Sequence, residues 1–222
     1  MKRKAPVTMA LLVMIAIVFA FEVLTKAYES GEAMVAMGAI THDLVLRGQV
    51  WRLVTYMFLH GGWLHWLSNS WVLYQLGTLY EALFGSKRFV AIYFTSGIVA
   101  GLASAVLHAG PAVGASGAVF GIMGAFFFSI WRSPLYRRQP WTRSLLGQLL
   151  FWIALNIYIG YKLPFIDNTA HIGGLIAGLI LGLIPHHVPP PPPRESVIDV
   201  AWDRFPNQPG RTGESDLRPP QH

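Results

Sequence analysis

The sequence predicts an all-α polytopic membrane protein, a bundle of six transmembrane helices with a long first outer loop. Its 222 residues are 53% hydrophobic and only 13% charged, with a mean hydropathy of +0.43, too apolar for an ordinary soluble domain. Six apolar runs recur along the chain, each near the length that a bilayer asks of a helix. The basic residues fall into short clusters between these runs. That clustering sets nucleic acid aside as a partner despite a net charge of +6 and an isoelectric point near 9.8, because no continuous basic face forms. With no cysteines, disulfides, thiol nucleophiles and cysteine metal sites are excluded.

Residues 1–6, with Lys2, Arg3 and Lys4, read as a cytoplasmic amino terminus, and the first span as about 7–24. No small-residue cleavage site follows it, so it is a retained span and not a signal peptide. Residues 27–62 mix Glu29, Glu32, Asp43, Arg47 and Arg52 with apolar residues, as suits an outer loop lying partly in the bilayer surface. The second span, about 63–80, carries His65, Ser68, Asn69, Ser70 and Gln75, groups that must face protein or water. A link at 85–88 leads to a third span at about 89–107, uncharged and read as scaffold. The fourth, about 115–131, opens at Gly114-Ala115-Ser116-Gly117. Arg132, Arg137, Arg138 and Arg143 fill the next link before a fifth span at about 145–159. The sixth runs over about 168–184, with Asp167 and Asn168 as capping residues. Residues 185–222 contain the proline run Pro189–Pro193 and read as a disordered cytoplasmic tail, a solvated segment with room for a proline-reading partner.

Orientation follows from charge. With both termini inside, the inner links and amino terminus hold nine of the 17 Lys and Arg residues, the tail four, and the outer links only Lys26, Arg47, Arg52 and Lys162. This satisfies the positive-inside rule and points to a multi-pass membrane protein with both termini cytoplasmic.

In this topology His65, Asn69, Ser116 and His171 all fall near the outer end of their spans. Gly174, Gly178 and Gly182 recur at spacing four on the stripe that carries His171, and Gly117, Gly121 and Gly124 make a smooth face beside Ser116. Glycine stripes let helix backbones approach closely in lipid, so the fourth and sixth spans are expected to meet, bringing Ser116 to His171. Serine needs a base to act as a nucleophile. The amides of Ala115 and Ser116 at a helix start, with the side chains of His65 and Asn69, supply donors for an oxyanion. The carboxylate at a matching depth is Asp167, for which a capping role suffices, so a Ser-His dyad is expected and not a triad. Neither cofactor nor metal is needed.

These residues resemble the rhomboid intramembrane serine proteases, close to the six-span bacterial form. The matching pieces are Trp51-Arg52, His60, His65-Trp66-Leu67-Ser68-Asn69, Gly114-Ala115-Ser116-Gly117 and Ala170-His171-Ile172-Gly173-Gly174, in the family's order over residues 51–182. Each piece is weak alone and the ordered set is specific. The resemblance implies a nucleophile at Ser116, a general base at His171 and oxyanion donors at His65 and Asn69, with Trp51 and Arg52 a structural loop signature. It also implies cleavage of transmembrane substrates near the outer end of their helices. Phe120 stands where relatives often have tyrosine beneath the histidine, which keeps the ring and loses the hydroxyl.

Blander readings exist for each residue singly: packing for Ser116, a carbonyl bond for His171, an interhelical bond for Asn69. The alternatives for the whole are an inactive rhomboid-like binder of membrane helices, or a haem or metal protein using His60, His65, His108 and His171, which would leave Ser116, Asn69 and the glycines idle. A transporter with a polar midplane site is a further alternative, which no intramembrane carboxylate pair or broken-helix repeat in the sequence supports. His60 and His108 are read as structural or interfacial, and Trp63, Trp66 and Trp71 as belt and packing residues.

Overall fold

The computed structural model describes residues 5–163 and 166–185, so the tail reading from residue 186 onward and the basic residues 2–4 lie outside them. Helix α1 (Pro6–Thr25) opens with proline at its first position and ends where Lys26 turns left-handed at φ 56°. Thr8, Leu11, Ile15, Phe19 and Glu22 form its buried stripe, the three-to-four spacing of one helical face. The outer loop is not irregular: it folds into α2 (Gly31–Met37), α3 (His42–Leu46) and α4 (Arg52–Thr55). Each is too short to be stable alone, and side-chain bonds hold them. Arg52, buried, donates Nη1 to the carbonyls of Val35 (2.6 Å) and Ala39 (2.7 Å) and Nε to Gln49 (2.7 Å), which ties α4 to the end of α2. Its guanidinium also lies 4.5 Å from the Trp51 ring centroid.

The second span is one rod in three pieces, α5 (Trp63–Val72), a π turn at Leu73–Gly77 and α6 (Thr78–Phe84). A π turn is widened by one residue and so shifts the faces on either side of it. Above it His65 and Asn69 face the centre of the bundle; below it Glu81 reaches α1, accepting from the Val7 and Thr8 amides (3.0 and 2.8 Å), the Thr8 hydroxyl (2.7 Å) and Ser86 (2.6 Å).

The remaining long elements are α7 (Ser86–Leu107), α8 (Ser116–Arg132), α10 (Pro140–Lys162) and α11 (Asn168–Leu183), with the single turn α9 (Pro134–Arg137) before α10. Two links expected from their basic residues are helical instead. Helix α7 already begins at Ser86, because Arg88 is held in it by Tyr80 (3.0 Å) and by the Leu181 carbonyl (3.0 Å) at the end of α11. Helix α10 begins at Pro140, so Arg143 is a helical residue. Asn168 is the first residue of α11 and not its cap; its Nδ2 donates to the Ile157 carbonyl of α10 at 2.9 Å.

By length and composition α1, α7 and α10 can each cross a membrane, and α8 and α11 are shorter apolar helices. Helix α8 is the centre, packed mainly against α11 and α7. The contact with α11 is backbone on backbone: a Cβ at Gly174 would overlap the Gly117 carbonyl, one at Gly178 the Gly121 carbonyl, and one at Gly182 would come within 2.8 Å of the Ala125 carbonyl oxygen. Close packing of this kind is what drives helix association in lipid, where no hydrophobic force between helices remains.

Candidate active site

The segment before α8 is shaped by the outer loop. Ile40 and Ala112 exchange both backbone bonds (3.0 and 2.9 Å), and the Gly114 amide donates to the Tyr56 carbonyl at 2.9 Å. Tyr56 is in turn buried and donates its hydroxyl to the Gly97 carbonyl of α7 at 2.7 Å. Gly114 has φ +118°, a conformation that favours glycine, and a Cβ there would stand 2.6 Å from His65 Nε2 and 3.4 Å from Asn69 Nδ2. The glycine is thus required twice, by the turn and by the two side chains that come up against it.

Ser116 starts α8, with Ala115, fully buried, just before it. Its Oγ lies 2.9 Å from His171 Nε2. The Phe120 ring, one turn along α8, stacks on the imidazole at 4.4 Å between centroids and 5° between planes. His171 is buried at 7% exposure and Asn69 at 6%. His171 Nδ1 and Asn69 Nδ2 are buried and have no hydrogen-bond partner among the described residues, polar atoms that the fold leaves uncommitted. A hydroxyl at this distance from an imidazole nitrogen can pass its proton to it, and donors converging beside it can meet a negative oxygen.

The structure therefore brings Ser116, His171, Phe120, Gly114, His65 and Asn69 together, with Gly117, Gly121, Gly174 and Gly178 forming the seam beneath. Trp51 and Arg52 stand apart, fastening the loop. His60 is buried behind His65, ring centroids 5.1 Å apart, and its amide donates to Glu22 of α1 at 3.0 Å. Burial, then the neighbouring His65, push the His60 imidazole down to about 3 against the pull of the Phe58 carbonyl, which keeps it a neutral wall. Asp167 accepts from the amides of Thr169 (2.9 Å) and Ala170 (3.0 Å) as the cap of α11, with His108 Nδ1 3.9 Å away. Trp66 stacks on Phe19 of α1 at 5.0 Å, while Trp63 and Trp71 are exposed. Among the described residues no three His, Asp or Glu side chains form a metal-binding group.

Sequence reasoning passed over Ile40 and Tyr56, and took Glu22 only as a marker of the far end of the first span. Ile40 and, toward Gly114, Tyr56 act through backbone atoms that leave no mark in the side-chain pattern. Glu22 did carry a signal, a carboxylate inside an apolar run, but nothing in the sequence pointed to the His60 amide as its partner.

Residues 47–187, well over half of the chain, match the Rhomboid domain. The chain belongs to the rhomboid family. Among curated relatives it is 39% identical over 147 residues to the rhomboid protease GluP of Bacillus subtilis, covering 66% of this chain and 28% of that protein. It is 37% identical over 152 residues to RHOMBOID-like protein 5 of Arabidopsis thaliana (67% and 48%), and 32% identical over 157 residues to rhomboid-like protease 2 of Toxoplasma gondii (68% and 53%). The matched segments thus span about half or less of these relatives' lengths. Family and apolar helices together make this rhomboid an integral, multi-pass membrane protein.

Proposed function

We propose that this rhomboid is an intramembrane serine endopeptidase that cuts transmembrane-helix substrates near the outer membrane face. Ser116 Oγ attacks the scissile carbonyl as its proton passes to His171 Nε2. The oxyanion so formed is met by the His65 and Asn69 side chains and the Ala115 and Ser116 amides. His171 then gives the proton to the departing amine as the C–N bond breaks, and water, activated by the same histidine, hydrolyses the acyl-enzyme. No cofactor enters.

The single observation that carries the reading is the 2.9 Å approach of Ser116 to His171 over a stacked Phe120. Depth adds support. Helix α8 has 17 residues, about 25 Å at 1.5 Å per residue, against a hydrocarbon layer of about 30 Å. With Arg132 at the inner interface, Ser116 opens inside the layer, where a helix substrate can be met from the side. The positive-inside balance supports cytoplasmic termini, and the likeness to a Bacillus subtilis rhomboid protease supports a bacterial inner (cell) membrane location.

Incubating the full chain in liposomes with a transmembrane substrate, beside Ser116→Ala, tests the proposal. Wild type should cut and the variant should not, and a serine-directed phosphonate should label only the wild type. Asn69→Ala should remain measurable at about 10² to 10³ below wild-type kcat, equivalent to about 2.7 to 4 kcal/mol, since the other donors persist. Full turnover by Ser116→Ala would end the reading.

A further inference from the structure

Asp167 is arranged for more than capping. The cap uses one carboxylate oxygen, Oδ1, which accepts from the Thr169 and Ala170 amides and from the Thr169 hydroxyl. The other, Oδ2, is buried and has no hydrogen-bond partner among the described residues. The Asp167 carbonyl accepts from the His171 amide at 3.3 Å, so carboxylate and imidazole leave the same helix end one turn apart. Opposite, in the last turn of α7, the Ser104 hydroxyl faces the carboxylate without closing a hydrogen bond, and His108 stands 3.9 Å from Oδ1.

His171 presents the complementary defect. Its Nε2 is committed to Ser116, while Nδ1 is buried and unpartnered among the described residues. When Nε2 takes the serine proton the ring becomes a cation carrying an Nδ1–H, in a place where water solvates it poorly, and a buried cation needs a fixed negative charge nearby. The titratable groups around His171 are Asp167 and, from α5, His65, with His60 behind His65 and His108, just past the end of α7, beside Asp167. Of these, Asp167 is the carboxylate. An acceptor and a donor of opposite polarity are thus left open at one end of α11.

We propose that Asp167 is a positioning residue for His171, holding its charge one helical turn from the imidazole and stabilising the imidazolium across space, with no direct bond between them. The inference rests on the Ser116–His171 reading and adds to the dyad an anion that acts through His171 and does not touch substrate.

Asp167→Asn tests this, because asparagine keeps the capping oxygen and removes only the charge. Asp167→Ser, a second uncharged cap, guards against an effect peculiar to asparagine. A carboxylate favours the protonated imidazole, so its removal lowers the pH at which His171 titrates. Two readouts on the full chain in detergent are the 15N NMR titration of His171 and the pH profile of kcat/KM. In both variants the titration midpoint and the acid limb should move down by about one pH unit. Plateau kcat should fall about tenfold with Tm unchanged. A cap lost for structural reasons would instead lower Tm and scale the whole profile without moving its limb. An unmoved His171 midpoint in a chain that still cuts overturns the proposal alone. A shifted midpoint in a chain that cuts nothing keeps the charge coupling and removes the protease reading.

Discussion

A Cβ placed on Gly178 of α11 would fall inside the backbone of α8 at Gly121, whereas one placed on Gly147 of α10 meets nothing within 4 Å. Two helices of the same bundle thus use glycine to opposite ends. On α11 it removes side chains so that two backbones touch, which fixes the spacing of the helices that carry Ser116 and His171. At Gly147 of α10 it serves no contact at all, and only Thr142, Leu149 and Gly160 are buried along that helix. Distances that chemistry depends on are set where packing leaves no slack, so the seam, and not the sparsely buried α10, is expected to set them.

The sharpest test of this contrast is Gly178→Leu. Overpacking ordinarily costs about 1 to 3 kcal/mol, and a displacement of about 1 Å between reacting groups can cost about 10²-fold in rate. Thermal melting and turnover should therefore fall together, and a variant matching wild type in both would mean that α8 and α11 are not in backbone contact.

Asn168→Ala should have a smaller effect. It removes the bond from Asn168 Nδ2 to the Ile157 carbonyl and the side chain that Gly160 accommodates, loosening α10 from α11. The loss should be about 1 kcal/mol, read as a Tm lower by about 2 to 4 °C, with the Ser116 phosphonate-labelling rate kept within a few-fold. Abolished labelling would show that α10 helps set the site and would break the contrast. The smallest effect belongs to Gly147→Leu, where Tm and turnover should stay at wild-type values; damage on the scale of Gly178→Leu would show that α10 is as tightly seated as α11.

The same contrast explains what was legible in the sequence. The seam could be read because spacing-four glycines with His171 on their stripe leave a periodic trace, and because Ser116 stands beside glycines of its own. His65 and Asn69 could be read because their spacing of four puts them on one face. The starts of α7 and α10 could not, since Lys87, Arg88 and Arg143 look like loop residues until partners such as the Leu181 carbonyl are known. Asn168 was read as a cap because its neighbour Asp167 is one. The short helices of the outer loop were invisible for a related reason: α2 and α4 are held by Arg52 bonds to carbonyls distant in sequence, which no local propensity reports.

Helix α1 is pinned at both ends by groups that come later in the chain. The amides of Val7 and Thr8 at its start, which have no partner within the helix, are met by Glu81, 74 and 73 residues on. Glu22 near its end is met by the amide of His60, 38 residues on. During synthesis this helix emerges before the second span, with a carboxylate and free amides that an apolar layer tolerates poorly. Its seating is completed only once the second span has been made and has turned Glu81 toward it. Helix α1 is thereby secured only after His60 and Glu81, its partners further along the chain, have been made, so its assembly waits on the synthesis of the second span.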